Sequence, residues 1–339
     1  MRFRSVVIVS SLLVAALVLS ACAALGTTDT PSPETLTIYS GRNQNLVGPV
    51  MERFAEEMGI SVEVRYGGTA ELAATILEEG ANTPADLYWP QDPGGLGALE
   101  HRFATLPDEI LGLIEPRFRS DQGLWVGVSG RARVIAYNTE RVDPAELPED
   151  IWELTEPAWQ GRVGWAPTNA SFQAMVTAMR VVWGEEETAR WLEAMQANDP
   201  VMYPNNSSQL VAVGAGEVDV VLVNHYYLYG ILREQGDDFP VRNHHLPGGP
   251  ASVVLVAGVG ILEGTPQREV AERFIEFLIS PEIQQYFAEQ TFEYPVVAGI
   301  DTHELLVPLA EINEPDLDMQ AMADLSGTLD LLRRTDVLP

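Results

Sequence analysis

The stretch Leu36-Thr37-Ile38-Tyr39-Ser40 (36–40), followed by LVGPVMERFAEEM (46–58), ISVEVRY (60–66), ELAATILEEG (71–80) and ADLYW (85–89), decides the fold class. Segments 36–40, 60–66 and 85–89 are short, apolar and rich in β-branched and aromatic residues, the pattern of strands. Segment 46–58 carries Leu46, Val50, Phe54 and Met58 near helical spacing, with Pro49 confined to its first turn. Segment 71–80 reads as a helix closed by Gly80. Strand and helix in strict alternation predict an α/β fold with a mainly parallel sheet covered by helices.

A second α/β set follows without any internal sequence repeat. RARVIAYN (131–138) and GRVGWAP (161–167) read as strands, and SFQAMVTAMRVVW (171–183) and EEETARWLEAMQA (185–197) as amphipathic helices. SSQLVAVGAGE (207–217) and VDVVLVNHY (218–226) read as helix then strand. SVVLVAGVGIL (252–262) is a long apolar strand, and 268–280 and 281–290 are helices. GGLGALEH (94–101) predicts one further short helix.

The amino terminus stands apart. Arg2 and Arg4 precede an apolar run from Val6 to Leu19 that ends in Leu19-Ser20-Ala21-Cys22. This is the pattern of a secretory signal followed by a lipid-acceptor cysteine. Cys22 is the one cysteine of the chain, so it has no internal disulfide partner. The Ser-, Thr- and Pro-rich residues after it predict a flexible tether. Two α/β sets behind such a tether predict a two-lobed binding protein. Its hinge strands are expected at 129–138 and 252–262, with the ligand in the cleft between lobes.

Composition narrows the function. The 339 residues are 46% hydrophobic and 20% charged, enough for a sizeable core. The net charge is −29 and every Lys/Arg position is arginine. So acidic a chain lacks the clustered cations that nucleic acid requires. No HExxH, P-loop, GxSxG or CxxC pattern occurs, and no acid/base pair stands out, which argues against an enzyme.

The most informative side chains follow the strand ending at Val223-Asn224-His225-Tyr226-Tyr227. Ligands in open α/β sheets bind beyond the carboxyl ends of strands. Adjacent tyrosines present both phenols to one side only where the strand has ended. Phenolates are hard oxygen donors suited to a hard cation such as Fe³⁺, although the dipeptide taken alone reads more readily as core or cleft-wall aromatics. Thr168-Asn169-Ala170-Ser171 opens a helix, a place for an anion or for an ordinary N-cap. Asn205-Asn206-Ser207-Ser208 offers capping groups or neutral donors, and Arg131 an anion partner or a structural ion pair. His244-His245 lacks metal-ligand spacing and reads as solvent-exposed.

Taken together, Tyr39-Ser40-Gly41, PADLYW (84–89), SGRARVIAYN (129–138), GRVGWAPTNASF (161–172), NNSSQLVAV (205–213), GEVDVVLVNHYY (216–227) and EYPV (293–296) resemble the bacterial ferric-ion-binding proteins of iron ABC importers. The resemblance implies a type II periplasmic-binding-protein (Venus flytrap) fold. Its lobes would comprise 36–128 plus 258–300 and 129–257 plus 301–339, after a signal peptide (1–21) and lipidated tether (22–35). It implies Fe³⁺ on Tyr226 and Tyr227, with phosphate or carbonate held by Asn169, Ala170, Ser171, Asn206 and Asn224. The opposite lobe often supplies a histidine and a glutamate; Asn43 and Gln91 stand there instead, with Arg42 or Arg131 to neutralise the anion. Tyr39, Tyr88 and Tyr137 are candidate third phenolates. The implied partners are an ABC permease and its ATPase, for a monomeric, membrane-anchored, extracytoplasmic protein that binds no nucleic acid. Alternative ligands for the same trap are an oxyanion, a phosphorylated compound, thiamine or a polyamine.

Overall fold

The computed structural model describes residues 34–339; the expected signal peptide, Cys22 and nearly all of the tether lie outside the described residues. The first α/β set runs β1 (Thr35–Ser40), α1 (Gln44–Met58), β2 (Ser61–Tyr66), α2 (Thr69–Glu79), β3 (Leu87–Trp89), α3 (Pro93–Ala98) and α4 (Asp108–Leu111). β1 pairs parallel with both β2 and β3, as strands joined by helices must.

The long strand β4 (Val126–Asn138) is buried at all 13 positions. It is followed by β5 (Val163–Trp165), α5 (Ala170–Trp183), α6 (Glu185–Ala197), β6 (Val201–Met202), α7 (Asn206–Gly214), β7 (Val220–Asn224), α8 (Tyr226–Gln235), β8 (Val241–His244) and β9 (Val254–Ile261). Helices α9 (Arg268–Leu278), α10 (Pro281–Gln290) and α11 (Leu325–Arg334) complete the described elements. The sheet order is β2-β1-β3-β9-β4-β7-β5-β6, with β8 also on β4.

β4 explains how one chain builds two strand groups. Residues Val126–Ala132 pair antiparallel with β9, which continues through β3 into the first set. Residues Arg133–Tyr137 pair with β7 of the second set. The partner therefore changes between Ala132 and Arg133, at the strand expected to be a hinge. The two groups have separate apolar cores, one around Ile38, Phe54, Trp89, Val259 and Phe274, the other around Trp165, Met175, Trp191 and Leu222. Met319 and Met322, from the carboxy-terminal segment, pack with the first. The two-lobed, type II binding-protein architecture is the fold of this chain.

Several details differ from the sequence reading. The segment 252–262 is a strand only over Val254–Ile261, because Pro250–Ser252 forms a 3₁₀ turn ahead of it. Strand β8 and helix α11 are absent from the sequence reading. β8 has only four residues beside a polar turn, and α11 follows a long irregular stretch. His244 and His245 are half-buried rather than solvent-exposed. His244 Nε2 meets the Pro148 carbonyl at 2.8 Å, and burial lowers His245 to about 4.

Candidate functional site

Strand β7 is buried throughout and ends at Asn224, and α8 begins at Tyr226. The two tyrosines thus stand in the first turn of a helix, free of the alternation that would send them to opposite sheet faces. Their ring centroids are 4.5 Å apart at 30°. Tyr226 is buried and Tyr227 half-buried. Burial, then the neighbouring Tyr226, raises the Tyr227 phenol well above its ordinary range.

The turn between strand and helix is pinned by His225. Its Nδ1 accepts from the Ala132 N–H at 3.1 Å, so Nε2 carries the proton and donates to the Phe292 carbonyl at 2.8 Å. The ring stacks on Tyr294 at 4.7 Å and meets Tyr226 edge-on at 5.6 Å. Burial lowers this imidazole to about 3, which keeps it neutral and keeps Nδ1 an acceptor.

Asn224 ties the tyrosines to the helix start at 169–171. Its Nδ2 lies 2.9 Å from Ser171 Oγ and 3.3 Å from Tyr226 Oη, and its Oδ1 accepts from Arg133 Nη1 at 3.0 Å. Asn169 is the N-cap of α5: its Oδ1 accepts from the Ser171 N–H at 3.0 Å and from Asn206 Nδ2 at 3.3 Å. The five residues expected to hold an anion therefore gather around one helix terminus, with Asn169, Ser171, Asn206 and Asn224 joined by hydrogen bonds. Asn169 caps that terminus as well.

Two cavities border these groups. One, of about 390 Å³, is lined by Gly41, Thr69, Gln91, Asn169, Ala170 and Gln173 among others. The second, of about 300 Å³, is lined by Asn43, Ser207, Tyr226, Tyr227 and Arg233 among others. Each joins the loop after β1 or β3 to the second strand group. Gly41 is required in that loop, because a Cβ there would lie 2.5 Å from Thr69 Oγ1. Asn43 is the N-cap of α1 and accepts from the Asn45 N–H at 2.9 Å, so its oxygen has a structural task. Gln91 is buried, with its N–H donating to Thr69 Oγ1 at 3.2 Å.

The candidate third phenols are engaged elsewhere. Tyr39 Oη donates to Glu79 at 3.0 Å, Tyr88 Oη donates to the Thr69 carbonyl at 2.7 Å, and Tyr137 packs in the second core. Among the described residues, no group of three or more His, Cys, Asp or Glu side chains is placed to hold a metal.

The charge around the pair is largely invisible in local sequence. Arg42 is buried and forms an ion pair with Glu293, Nη2 lying 2.7 Å from each carboxylate oxygen. Ser129 Oγ and Thr291 Oγ1 donate to the same carboxylate at 2.8 and 3.0 Å. Arg131 and Arg133 alternate along β4 and are both buried. Burial pulls Arg131 down, and burial together with Arg131 pulls Arg133 to about 9, still charged at neutral pH. Asp92, the N-cap of α3, is raised to about 6 by burial against the pull of Arg131. Sequence reasoning placed Arg133 in the segment 129–133, where an arginine could meet an anion, and Asp92 among the polar residues after a strand, but gave Glu293 no role. The one signal was an isolated acid, Glu293, inside the apolar run Phe292–Val297.

Comparison with known proteins identifies the family. A family model described as bacterial extracellular solute-binding protein matches residues 103–317. The chain is 31% identical to an Fe(3+)-binding periplasmic protein of Serratia marcescens, over 90% of this chain and 91% of that one. It is 34% identical to iron uptake protein A1 of Synechocystis, over 84% of this chain and 82% of the relative. Iron-bound HitA from Pseudomonas aeruginosa superimposes with a TM-score of 0.85 at 34% identity, covering 89% of this chain and 99% of HitA. The chain belongs to the bacterial extracellular solute-binding proteins, and within them to the ferric-ion-binding family.

Proposed function

We propose that this protein captures Fe³⁺ outside the cytoplasm, together with a synergistic anion, and delivers it to a membrane permease driven by an ATPase. It acts as a binding protein and not as an enzyme. The reading rests above all on the adjacency of Tyr226 and Tyr227 at the start of α8, beside a cavity that also meets Asn43. Relatives named as ferric-binding or iron-uptake proteins support the same cargo.

In this account both phenols lose their protons as the metal binds. A trivalent ion lowers the pKa of a ligand oxygen enough to offset the burial that raises Tyr227. Phosphate or carbonate then supplies the remaining oxygens, received by Ala170 and by Asn169, Ser171, Asn206 and Asn224. Asn43 and Gln91 close the opposite wall as neutral amides, and Arg42 and Arg131 balance the anion. Closure about β4 and β9 joins a lobe of 36–128 plus 258–300, on which Met319 and Met322 also pack, to one of 129–257 plus the remainder of 301–339. Cys22 carries the lipid that keeps the monomeric protein at the membrane surface. Reduction to Fe²⁺, a softer and less charged ion, is the expected route of release.

Metal analysis of protein purified without chelators, with an absorption spectrum of the same sample, tests the reading. Iron bound with a visible tyrosinate-to-metal band is expected. Calorimetric uptake of a sugar phosphate, thiamine or polyamine with no uptake of ferric iron would replace it with one of those ligands.

A further inference from the structure

Capture of a cation by two phenols leaves one feature unexplained: three buried guanidinium groups behind them. Arg42, Arg131 and Arg133 are 4%, 0% and 2% exposed. Nε and Nη1 of Arg42, all three nitrogens of Arg131, and Nε and Nη2 of Arg133 have no hydrogen-bond acceptor. Arg42 and Arg133 act electrostatically on both tyrosines, and Arg131 on Tyr226. Buried charge without a partner is costly, so a cluster of this kind implies negative charge supplied from elsewhere.

The protein supplies only part of that charge. Among the described residues, Glu293 is the one carboxylate hydrogen-bonded to the cluster, through Arg42. Asp92 acts on Arg131 through space, while its Oδ1 accepts from the Gly95 N–H at 3.1 Å. Glu293 is also held with unusual care. Phe292, just before it, has φ 57°, the left-handed region that a bulky residue rarely adopts. The Phe292 carbonyl receives His225 Nε2–H, and Tyr294 pairs with Gly130 of β4 on the other side. The backbone is thereby fixed where the carboxylate reaches Arg42, Ser129 and Thr291 at once.

We infer that Glu293 sets the charge selectivity of the cleft: it determines how much negative charge the captured anion must carry. Where the cargo is ferric iron, this rests on the reading above, since Fe³⁺ with two phenolates adds one further positive charge. The residual charge of the arginine cluster does not depend on that reading. Removing the Glu293 charge makes the site more positive and favours a more highly charged anion. Removing an arginine charge does the reverse. A contribution of one unit charge at a partly screened distance of several ångströms changes the relative affinity of a trianion and a dianion by about tenfold.

The test is calorimetric titration of the metal-free protein with citrate and with inorganic phosphate, at pH 8 and fixed ionic strength. At that pH Asp92, at about 6, is ionised in the wild-type protein, where Arg131 holds its pKa down. In Glu293→Gln the ratio of citrate to phosphate affinity is expected to rise about tenfold. In Arg131→Met, which leaves the Arg42–Glu293 pair intact, it is expected to fall about tenfold. The charge-compensated Arg42→Gln/Glu293→Gln protein is expected to return to within about threefold of wild type. Should Glu293→Gln not fold, the other two variants decide the matter. An unchanged ratio in Glu293→Gln or in Arg131→Met, a ratio shifted about tenfold in the charge-compensated double variant, or no binding of either anion to wild type, overturns the inference. The ferric absorption band in parallel samples reports separately: its absence from wild type removes the ferric reading while the anion ratios still judge Glu293.

Discussion

Asn224 holds its amide nitrogen 3.3 Å from the hydroxyl oxygen of Tyr226, two residues along the chain, while the same nitrogen lies 2.9 Å from Ser171 Oγ. One buried side chain thus joins the phenol to the helix terminus proposed to receive an anion, and its oxygen takes the only hydrogen bond that the Arg133 guanidinium donates among the described residues.

Asn224→Leu tests this hub. Loss of an outer-shell partner of a metal ligand typically costs about 10–100-fold in metal affinity. The variant also leaves Arg133 without an acceptor, at a further cost of about 1–3 kcal/mol in stability. Ferric titration against a competing chelator, with denaturant unfolding of the same protein, is expected to show both losses. Unchanged iron affinity would mean that the tyrosines are oriented without Asn224.

Arg131→Met separates function from stability. A buried cation with no acceptor is replaced by an apolar side chain of similar length, a change often worth about 1–4 kcal/mol of added stability. The metal-free variant is expected to melt higher than wild type in buffer without multivalent anions. The gap is expected to narrow on adding phosphate, which stabilises wild type by binding its folded state. A lower melting temperature in both buffers would indicate that Arg131 is compensated within the fold.

Asp92 makes stability depend on pH in a defined direction. Its folded-state pKa, about 6, lies above the ordinary carboxyl value of 3.8, so the fold favours the protonated form. The corresponding stabilisation is complete below about pH 4 and is lost as pH rises through 6. Asp92→Asn cannot ionise and keeps an N-cap oxygen for the Gly95 N–H. Relative to wild type it is expected to gain up to about 3 kcal/mol between pH 4 and pH 8, an upper bound for a group so buried. Denaturant midpoints of both proteins at the two pH values check this; a difference independent of pH contradicts it.

What the sequence disclosed and what it hid divide along physical lines. The strand into Tyr226 and Tyr227 was legible because the apolar run 220–223 and the polar break at Asn224 are local. The parallel pairing of β1 with β2 and β3 followed from the intervening helices. Asn169 was legible as an amide at a helix start, its capping role weighed against an anion role, whereas Asn43 was read only as a polar residue after β1 and its capping bond to the Asn45 N–H was not foreseen. Glu293 was not legible as a site residue. Its partner Arg42 is 251 positions away, and its neighbour Ser129 is 164 away. Arg133 was legible only as one of two arginines in the segment 129–133, since its partner Asn224 lies 91 positions on and is brought beside it by the fold. Local pattern gives elements; the charge balance of a buried site arises from residues that meet only in the fold.

The most direct measurement is the visible spectrum of the iron-loaded protein beside those of Tyr226→Phe and Tyr227→Phe. The account predicts a tyrosinate-to-iron charge-transfer band in wild type that weakens in each single variant and disappears in the double, together with stoichiometric iron. Iron retained at full occupancy with an unaltered band in the double variant would contradict it, because the metal would then be held by other groups.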